Sequence, residues 1–371
     1  MKKVLYILFV AVLFLPLINQ ITDKVYIVGL RGYVANDETV YEPLTWDGYS
    51  TGAWQDTAQK VVKKGFNSRP AFVRFRNYFD YTLFDKVHVR GVKKGKDDYL
   101  FFMTDYFMSG GDKRPYELLD SQIQKLKLAQ DSLASQGKQL LYVFAPEKIF
   151  VFPEYLPNGY ALTDDNQYVY RNYLKLMDDK GVDYIDFNNW FVEEKDDAEY
   201  LLFAKGGKHW ASLYATYAMD SIGDYLREMG ANVPDFEQLS AHEADHPWNE
   251  DIDTWQSANL PFMYEDQKFG EADYKIEEGP HDKTIVFSDS YFNVIKWSGL
   301  YHDIYGDDAL YWYYNREIYD KDNIQIGTAS QESFDNLGKQ AEVYIIIVSV
   351  GNLSWFDYDV LDYFVTPKDG G

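Results

Sequence analysis

No cysteine occurs in the 371 residues. That excludes a disulfide scaffold, a thiolate zinc site and a cysteine nucleophile, and leaves the redox compartment open. Positive charge is also scarce: 36 Lys and Arg stand against 59 Asp and Glu, for a net charge of −23. A deficit of that size argues against a nucleic-acid partner, whose binding rests on neutralising phosphates. It argues equally against an anionic lipid surface as the main ligand. There is no internal repeat and no low-complexity tract. The N-terminal apolar run, Val4 to Ile18, is 15 residues long, short of the ~20 that comfortably cross a bilayer. Lys2 and Lys3 precede it, which is the layout of an export signal. The residues that follow, Asn19 to Asp23, offer no small-x-small cleavage site. The pattern therefore favours an uncleaved signal anchor over residues 1–20, with an extracytoplasmic body.

What is present is a globular composition, 46% hydrophobic and 26% charged, with 66 aromatic residues. It suits one large domain or two modest ones. Charge is unevenly spread. Residues 60–96 hold eleven basic side chains and two acids, so that segment is +9 and the rest is −32. Within it Phe72, Phe75, Phe79 and Leu83 recur at helical spacing, predicting a helix with one buried stripe. Its basic face reads as solvated, with a polyanionic sugar as the sharper alternative.

From about residue 116 strands and helices alternate. Leu119, Ile123, Leu126 and Leu133 mark an amphipathic helix that stops near Gly137. Strands are expected at 140–144, 182–187, 284–287, 309–313 and 343–348, with helices near 166–179 and 211–229. Strands separated by helix-length segments require crossover connections. The expected fold is therefore α/β, a three-layer α/β/α sandwich on a mainly parallel sheet. The expected divisions are an N-terminal portion over 21–115 and a main domain over 116–371. At about 231–283 the alternation lapses into an insertion. Residues 235–282 carry fourteen acids against Lys268 and Lys275, a net −12, the profile of a long functional flap or mobile segment.

Sites in open α/β sheets form beyond the carboxyl ends of the strands. The residues following each strand include Pro146-Glu147-Lys148, Asn188-Asn189, Ser288-Asp289-Ser290, Asn315-Arg316, and Ser349 with Asn352. Gly206-Gly207-Lys208-His209-Trp210 leads into the 211–229 helix. One rim thus gathers a serine, a histidine, a lysine, an arginine and several amides, a set suited to a nucleophilic hydrolase or acyltransferase. A serine at a strand-to-helix turn can present its hydroxyl above the sheet, and His209 is the best-placed base of the six histidines. Alone, Asp289-Ser290 would read as a helix cap. His242-Glu243-Ala244-Asp245-His246 fits the zincin pattern H-E-x-x-H. Pro247 follows at once and no apolar stripe would bury such a helix, so the match is read as part of the charged flap and no metal or cofactor is expected.

In order along the chain, several segments resemble the SGNH-hydrolase-like acetyltransferases of the AlgJ/AlgX type, which O-acetylate exported polysaccharides. Gly65-Phe66-Asn67-Ser68-Arg69 and Arg76 to Tyr81 resemble that family's opening, and Gly95 to Phe102 its "GKDGWLF" segment. Ala145-Pro146-Glu147-Lys148 resembles the end of its first strand. Lys208-His209-Trp210-Ala211-Ser212 is similar to its "HW" motif, and Ser288-Asp289-Ser290-Tyr291 to its "GDSF" turn. Trp312 to Glu317 and Asn352-Leu353 complete the run. The resemblance implies that Ser290 carries the acetyl group, His209 is the general base and Asp289 the turn acid. Arg316 or Asn315 would lie near the acyl oxygen, with Lys148 and Asn352 as further substrate or oxyanion candidates.

Many family members carry an Asp two residues before the histidine; here that place is Gly207. Loss of a triad carboxylate costs on the order of 10⁴ in rate unless another group substitutes, and Asp186 is one candidate substitute. Ser288 replaces the glycine of the turn, and Val350 stands where an acid is expected. By this resemblance the protein is an envelope-facing O-acetyltransferase. It would take acetyl from a membrane-bound O-acyltransferase and pass it to a polysaccharide, held at the inner membrane by its N-terminal segment. A carbohydrate acetylesterase would use the same chemistry with water as acceptor. A catalytically inactive glycan-binding subunit of an export complex is the reading from a different class.

Overall fold

The computed structural model describes residues 2–22, 27–31, 43–103, 107, 111, 113–261 and 266–365. The chain forms two compact units, one made of residues 1–90 with 254–264, the other of 91–253 with 265–371.

The first unit is helical: α1 (Lys2–Thr22), α2 (Trp46–Thr51), α3 (Ala53–Lys64) and α4 (Arg69–Phe84). Among the described residues no helix is long and apolar enough to cross a membrane, so the expected anchor has no support as a spanning segment. In α4 the expected buried stripe is turned outward. Phe72, Phe75, Phe79 and Leu83 are all exposed, and the buried residues are Asn77 and Tyr81. The reason lies in the 254–264 segment. Asn77 donates to the Ala258 carbonyl at 2.7 Å, and Tyr81 meets Trp255 edge-on at 5.6 Å. Helical periodicity reports an apolar face, not which neighbour covers it.

The second unit opens with the hairpin β1 (Val92–Lys94) and β2 (Leu100–Phe102), which the sequence had grouped with the N-terminal portion. Its centre is a seven-stranded sheet. β3 (Gln139–Ala145), β4 (Tyr184–Asp186), β7 (Thr284–Ser288), β8 (Leu310–Tyr313) and β11 (Val343–Ser349) lie parallel, and β9 (Glu317–Tyr319) with β10 (Gln325–Thr328) adds an antiparallel edge. The order across the sheet is β10-β9-β8-β7-β11-β3-β4. Consecutive strand residues point to opposite faces, and β3 shows both faces covered. Tyr142 and Phe144 join one core cluster with α5 (Tyr116–Ala134) and α6 (Asp164–Lys180). Leu141 and Val143 join a second with α7 (Phe187–Glu194) and α8 (Ser212–Glu228). A sheet buried on both faces can be apolar throughout its central strands, as β11 is.

Helix ends match local chemistry. Thr163 and Asn166 form a capping box at the start of α6, and Gly181, at φ 63°, closes it. The acidic insertion is not formless. β5 (Phe236–Glu243) and β6 (Gly270–Ile276) pair as an antiparallel ribbon, with the short helix α9 (Asp253–Ser257) between them. The H-E-x-x-H stretch lies on β5 and the residues after it, where the two histidines do not share a helical turn.

Candidate functional site

The sheet's carboxyl edge positions the first group. β7 ends at Ser288, and the chain turns at Asp289 into a short 3₁₀ turn, Ser290–Phe292. The Asp289 carboxylate fixes that turn. It accepts from the Tyr291 amide at 3.0 Å, the Ser349 amide at 3.3 Å and Asn352 Nδ2 at 3.1 Å. Ser290, the residue next in line, is left partly exposed with its hydroxyl free of the cap.

His209 precedes α8 and is buried to 8% exposure. Its Nε2 lies 2.8 Å from Ser290 Oγ. Its Nδ1 lies 2.8 Å from Asp253 Oδ2, an ion-pair distance without the alignment of a full hydrogen bond. Catalytic contacts of this kind often tighten only when substrate is bound. With a proton on Nδ1 facing the carboxylate, Nε2 is left to accept the serine proton, so the tautomer follows from the partners.

Asp253 comes from the insertion, and its neighbours show how it is seated. Its other oxygen accepts from the Lys208 amide at 2.8 Å. Two residues earlier Asp251 caps the start of α8, accepting from the Ser212 amide at 2.8 Å and the Ser212 hydroxyl at 3.0 Å. Burial pushes the Asp251 carboxyl up to about 6. The insertion passes so close to Gly207 that a Cβ there would fall 2.2 Å from the Asp251 carbonyl oxygen. An aspartate two residues before the histidine is therefore sterically excluded, and the segment that excludes it delivers a carboxylate to the same ring.

The other expected residues are placed as follows. Asp186 does not approach His209. It caps α7 through the Asn188 and Asn189 amides and receives the Tyr170 hydroxyl at 2.7 Å. Burial is the main cause raising its carboxyl. Lys148 is not at a substrate surface. It is buried, and its ammonium donates to the carbonyls of Leu100 (3.3 Å), Ala204 (2.5 Å), Lys205 (3.2 Å) and Gly207. Desolvation lowers it to about 7, and it ties down the loop that leads into His209. Asn315 is occupied at both ends, donating to the Tyr358 carbonyl and accepting from the Tyr363 hydroxyl. Arg316 is exposed and lies 5.2 Å over the Trp355 ring. Asn352 joins Asp289 and reaches the Tyr314 hydroxyl at 3.4 Å.

Two residues escaped the sequence reading. Asp253 sits in an acid-rich stretch with no motif to single it out. Tyr314 has φ 50° in the tight turn from Tyr313 to Arg316, a left-handed conformation uncommon for a bulky residue. Its hydroxyl interacts with Ser290, and burial raises its pKa above the usual phenol range. Beneath the site, buried Glu147 accepts from the Tyr291 hydroxyl at 3.1 Å, and burial raises its carboxyl.

A hydroxyl, an imidazole and a carboxylate stand in sequence at a strand-to-turn edge, the arrangement that a nucleophilic serine needs, which is recognised by geometry and not by order in the chain. Comparison with a family model finds a resemblance over part of the chain. Residues 92–255, somewhat under half the chain, match the family described as SGNH hydrolase-like domain, acetyltransferase AlgX. That segment contains His209 and Asp253; Ser290 lies beyond it. The chain thus resembles the SGNH hydrolase-like acetyltransferases over that segment, and its second unit is a mixed α/β domain on a mostly parallel sheet. Among solved structures it is similar to the O-acetyltransferase domain of Pseudomonas putida AlgJ, at 15% identity over 70% of this chain and 91% of that one, with a TM-score of 0.43. Pseudomonas aeruginosa AlgX matches at 16% identity over 70% of this chain and 61% of that one, TM-score 0.42. Bacillus cereus PatB1 with a sulfonyl adduct matches at 10% over 74% and 99%, TM-score 0.45. No curated protein matches.

Proposed function

We propose that this protein is a serine O-acetyltransferase acting outside the cytoplasm on a polysaccharide. The observation that carries the reading is the 2.8 Å contact between Ser290 Oγ and His209 Nε2, backed by Asp253 at 2.8 Å from Nδ1. In the first half-reaction Ser290 Oγ attacks the acetyl carbonyl of the donor while His209 takes the hydroxyl proton. The proton then passes to the leaving group, and an acetyl ester remains on Ser290. In the second, His209 takes the proton of a sugar hydroxyl, that oxygen attacks the ester, and the proton returns to Ser290. Asp253 holds the imidazole in one tautomer and stabilises its protonated form. Asp289 acts as the turn acid, Asn352 and Tyr314 flank the acyl oxygen, and a membrane-bound O-acyltransferase supplies the donor.

The test is intact-mass analysis after exposure to an activated acetyl ester. One acetyl group is expected on wild type, mapped to Ser290, and none on Ser290→Ala. An adduct that persists on the alanine variant would sink the proposal. Adding an oligosaccharide acceptor separates transferase from esterase: acetyl recovered on sugar supports the former, and acetate alone the latter.

A further inference from the structure

The outward face of α4 is unusual for a water-exposed helix. Phe72 is 49% exposed, Phe75 69%, Phe79 47%, Leu83 59% and Phe84 67%. Three of these rings touch, with Phe79 centred 6.5 Å from Phe75 and 6.0 Å from Phe84, so they form one apolar strip. The strip lies opposite Asn77 and Tyr81, the face that α4 buries. Contiguous exposed apolar strips mark an interaction surface. Positive charge borders it. Arg76 falls four residues after Phe72 and three before Phe79, and Arg69 precedes Phe72 by three, so both lie on neighbouring helical rows; Lys86 follows the helix. All three are exposed.

We propose that this face of α4 lies in the interfacial plane of a bilayer bearing anionic headgroups. The inference is independent of acetyl transfer. An amphipathic helix with aromatic residues on one side and Arg or Lys along its border is the physical form of an in-plane membrane element. The whole-molecule charge of −23 does not oppose it, because exposed charges are screened beyond about 10 Å and the local segment is +9. A second copy of the chain is disfavoured, since an isologous contact would set this basic segment against itself. A polyanionic sugar would satisfy the arginines and leave the phenylalanines in water.

α1 supplies a second observation. Val4, Ile7, Phe14, Leu17, Ile18 and Ile21 are exposed on it, and its C-terminal end is joined to the start of α4. Gln20 Oε1 accepts from the Asn67 amide at 2.8 Å, and Asn19 Nδ2 reaches Ser68 Oγ at 3.5 Å. An apolar run of 15 residues rises about 22 Å, less than the ~30 Å hydrocarbon core. A short apolar helix alone gives weak attachment, and stable attachment takes two signals. The α4 face is placed to be the second.

The absence of cysteine makes the test direct. Phe75→Cys and, as a control on the acidic domain, Glu228→Cys are each spin-labelled in the full chain and mixed with phosphatidylcholine vesicles with and without phosphatidylglycerol. The expected result is that the Phe75→Cys label becomes accessible to oxygen and shielded from a nickel chelate only with phosphatidylglycerol, while the Glu228→Cys label stays open to nickel. Phe72→Ser with Phe79→Ser, and separately Arg69→Gln with Arg76→Gln, are expected to weaken vesicle partitioning at least tenfold with unchanged circular dichroism. The proposal is overturned if the Phe75→Cys label remains open to nickel on vesicle-bound protein, which would mean that α1 binds alone. It is equally overturned if the protein ignores vesicles. Shielding that develops without vesicles, on concentrating the protein or on adding polygalacturonate, would assign the face to self-association or to a glycan instead.

Discussion

At the scale of single residues, the site turns on an exchange between Gly207 and Asp253. A side chain at 207 would collide with the Asp251 carbonyl, and two residues further on Asp253 meets His209 Nδ1. If Asp253 holds the imidazole, Asp253→Asn should lower kcat for acetyl-enzyme formation by about 10³–10⁴ with little change in KM. Single-turnover mass spectrometry reads this directly. Restoring the family's aspartate should not rescue it. Gly207→Asp forces the insertion away from the loop, and even Gly207→Ala should cost about 1–3 kcal/mol by overpacking, visible in urea midpoints. Activity regained in the Gly207→Asp, Asp253→Asn double variant would contradict this account. Legibility differed sharply among these residues. Ser290 and His209 follow local features, a strand end and a helix start, that a sequence displays. Asp253 is one of fourteen acids between 235 and 282, and only the fold distinguishes it. Asp186 looked equivalent in sequence but is consumed by the α7 cap.

At the scale of elements, what was readable was whatever buries a continuous or periodic apolar face. The five parallel strands and α5, α6 and α8 were expected within a few residues, because each is covered by the sheet core. The β5–β6 ribbon was not, since it is two-stranded and mostly solvent-facing: Leu239 and Tyr274 stay exposed, and acids fill both strands. No period-2 pattern develops there. α4 was located but rotated, for the reason that periodicity cannot name the covering partner. The loop between β4 and α8 depends on Lys148, a buried cation reaching four carbonyls. Its ammonium is lowered to about 7 in the folded state against an ordinary 10.5. Between those values the unfolded chain binds more protons, so this group makes stability rise with pH from about 7 to 10. Lys148→Met should remove that component, leaving a shallower rise in urea midpoints measured at pH 6, 8 and 10. The loss of the tether should also slow acetyl transfer, by about 10²-fold if His209 shifts by an ångström. An unchanged slope would show that Lys148 does not lose its proton in that window.

At the scale of the whole molecule, the chain threads the site through an unexpected route. It leaves α8, builds the β5–β6 ribbon, and in the middle of that ribbon presents Asp251 and Asp253 to the edge of α8. It then runs from Asp253 into residues 254–264, which belong to the N-terminal unit. Within α9, one turn carries Asp253 at its start and Trp255 two residues later, and Trp255 packs against Tyr81. The carboxylate is thus attached by covalent structure to a segment anchored on α4. Loosening that anchor should loosen the carboxylate. Tyr81→Ala is expected to lower kcat in the same direction as Asp253→Asn and by a smaller factor, while the unfolding transition of the seven-stranded sheet keeps its midpoint. The decisive measurement is the double variant. If Tyr81 acts on the chemistry only by steadying α9, then once Asp253 is already an asparagine the further loss of Tyr81 has nothing left to disturb. Tyr81→Ala with Asp253→Asn should then be no slower than Asp253→Asn alone, a strongly non-additive cycle. Additive losses would show that Tyr81 supports catalysis by a path that does not pass through the carboxylate.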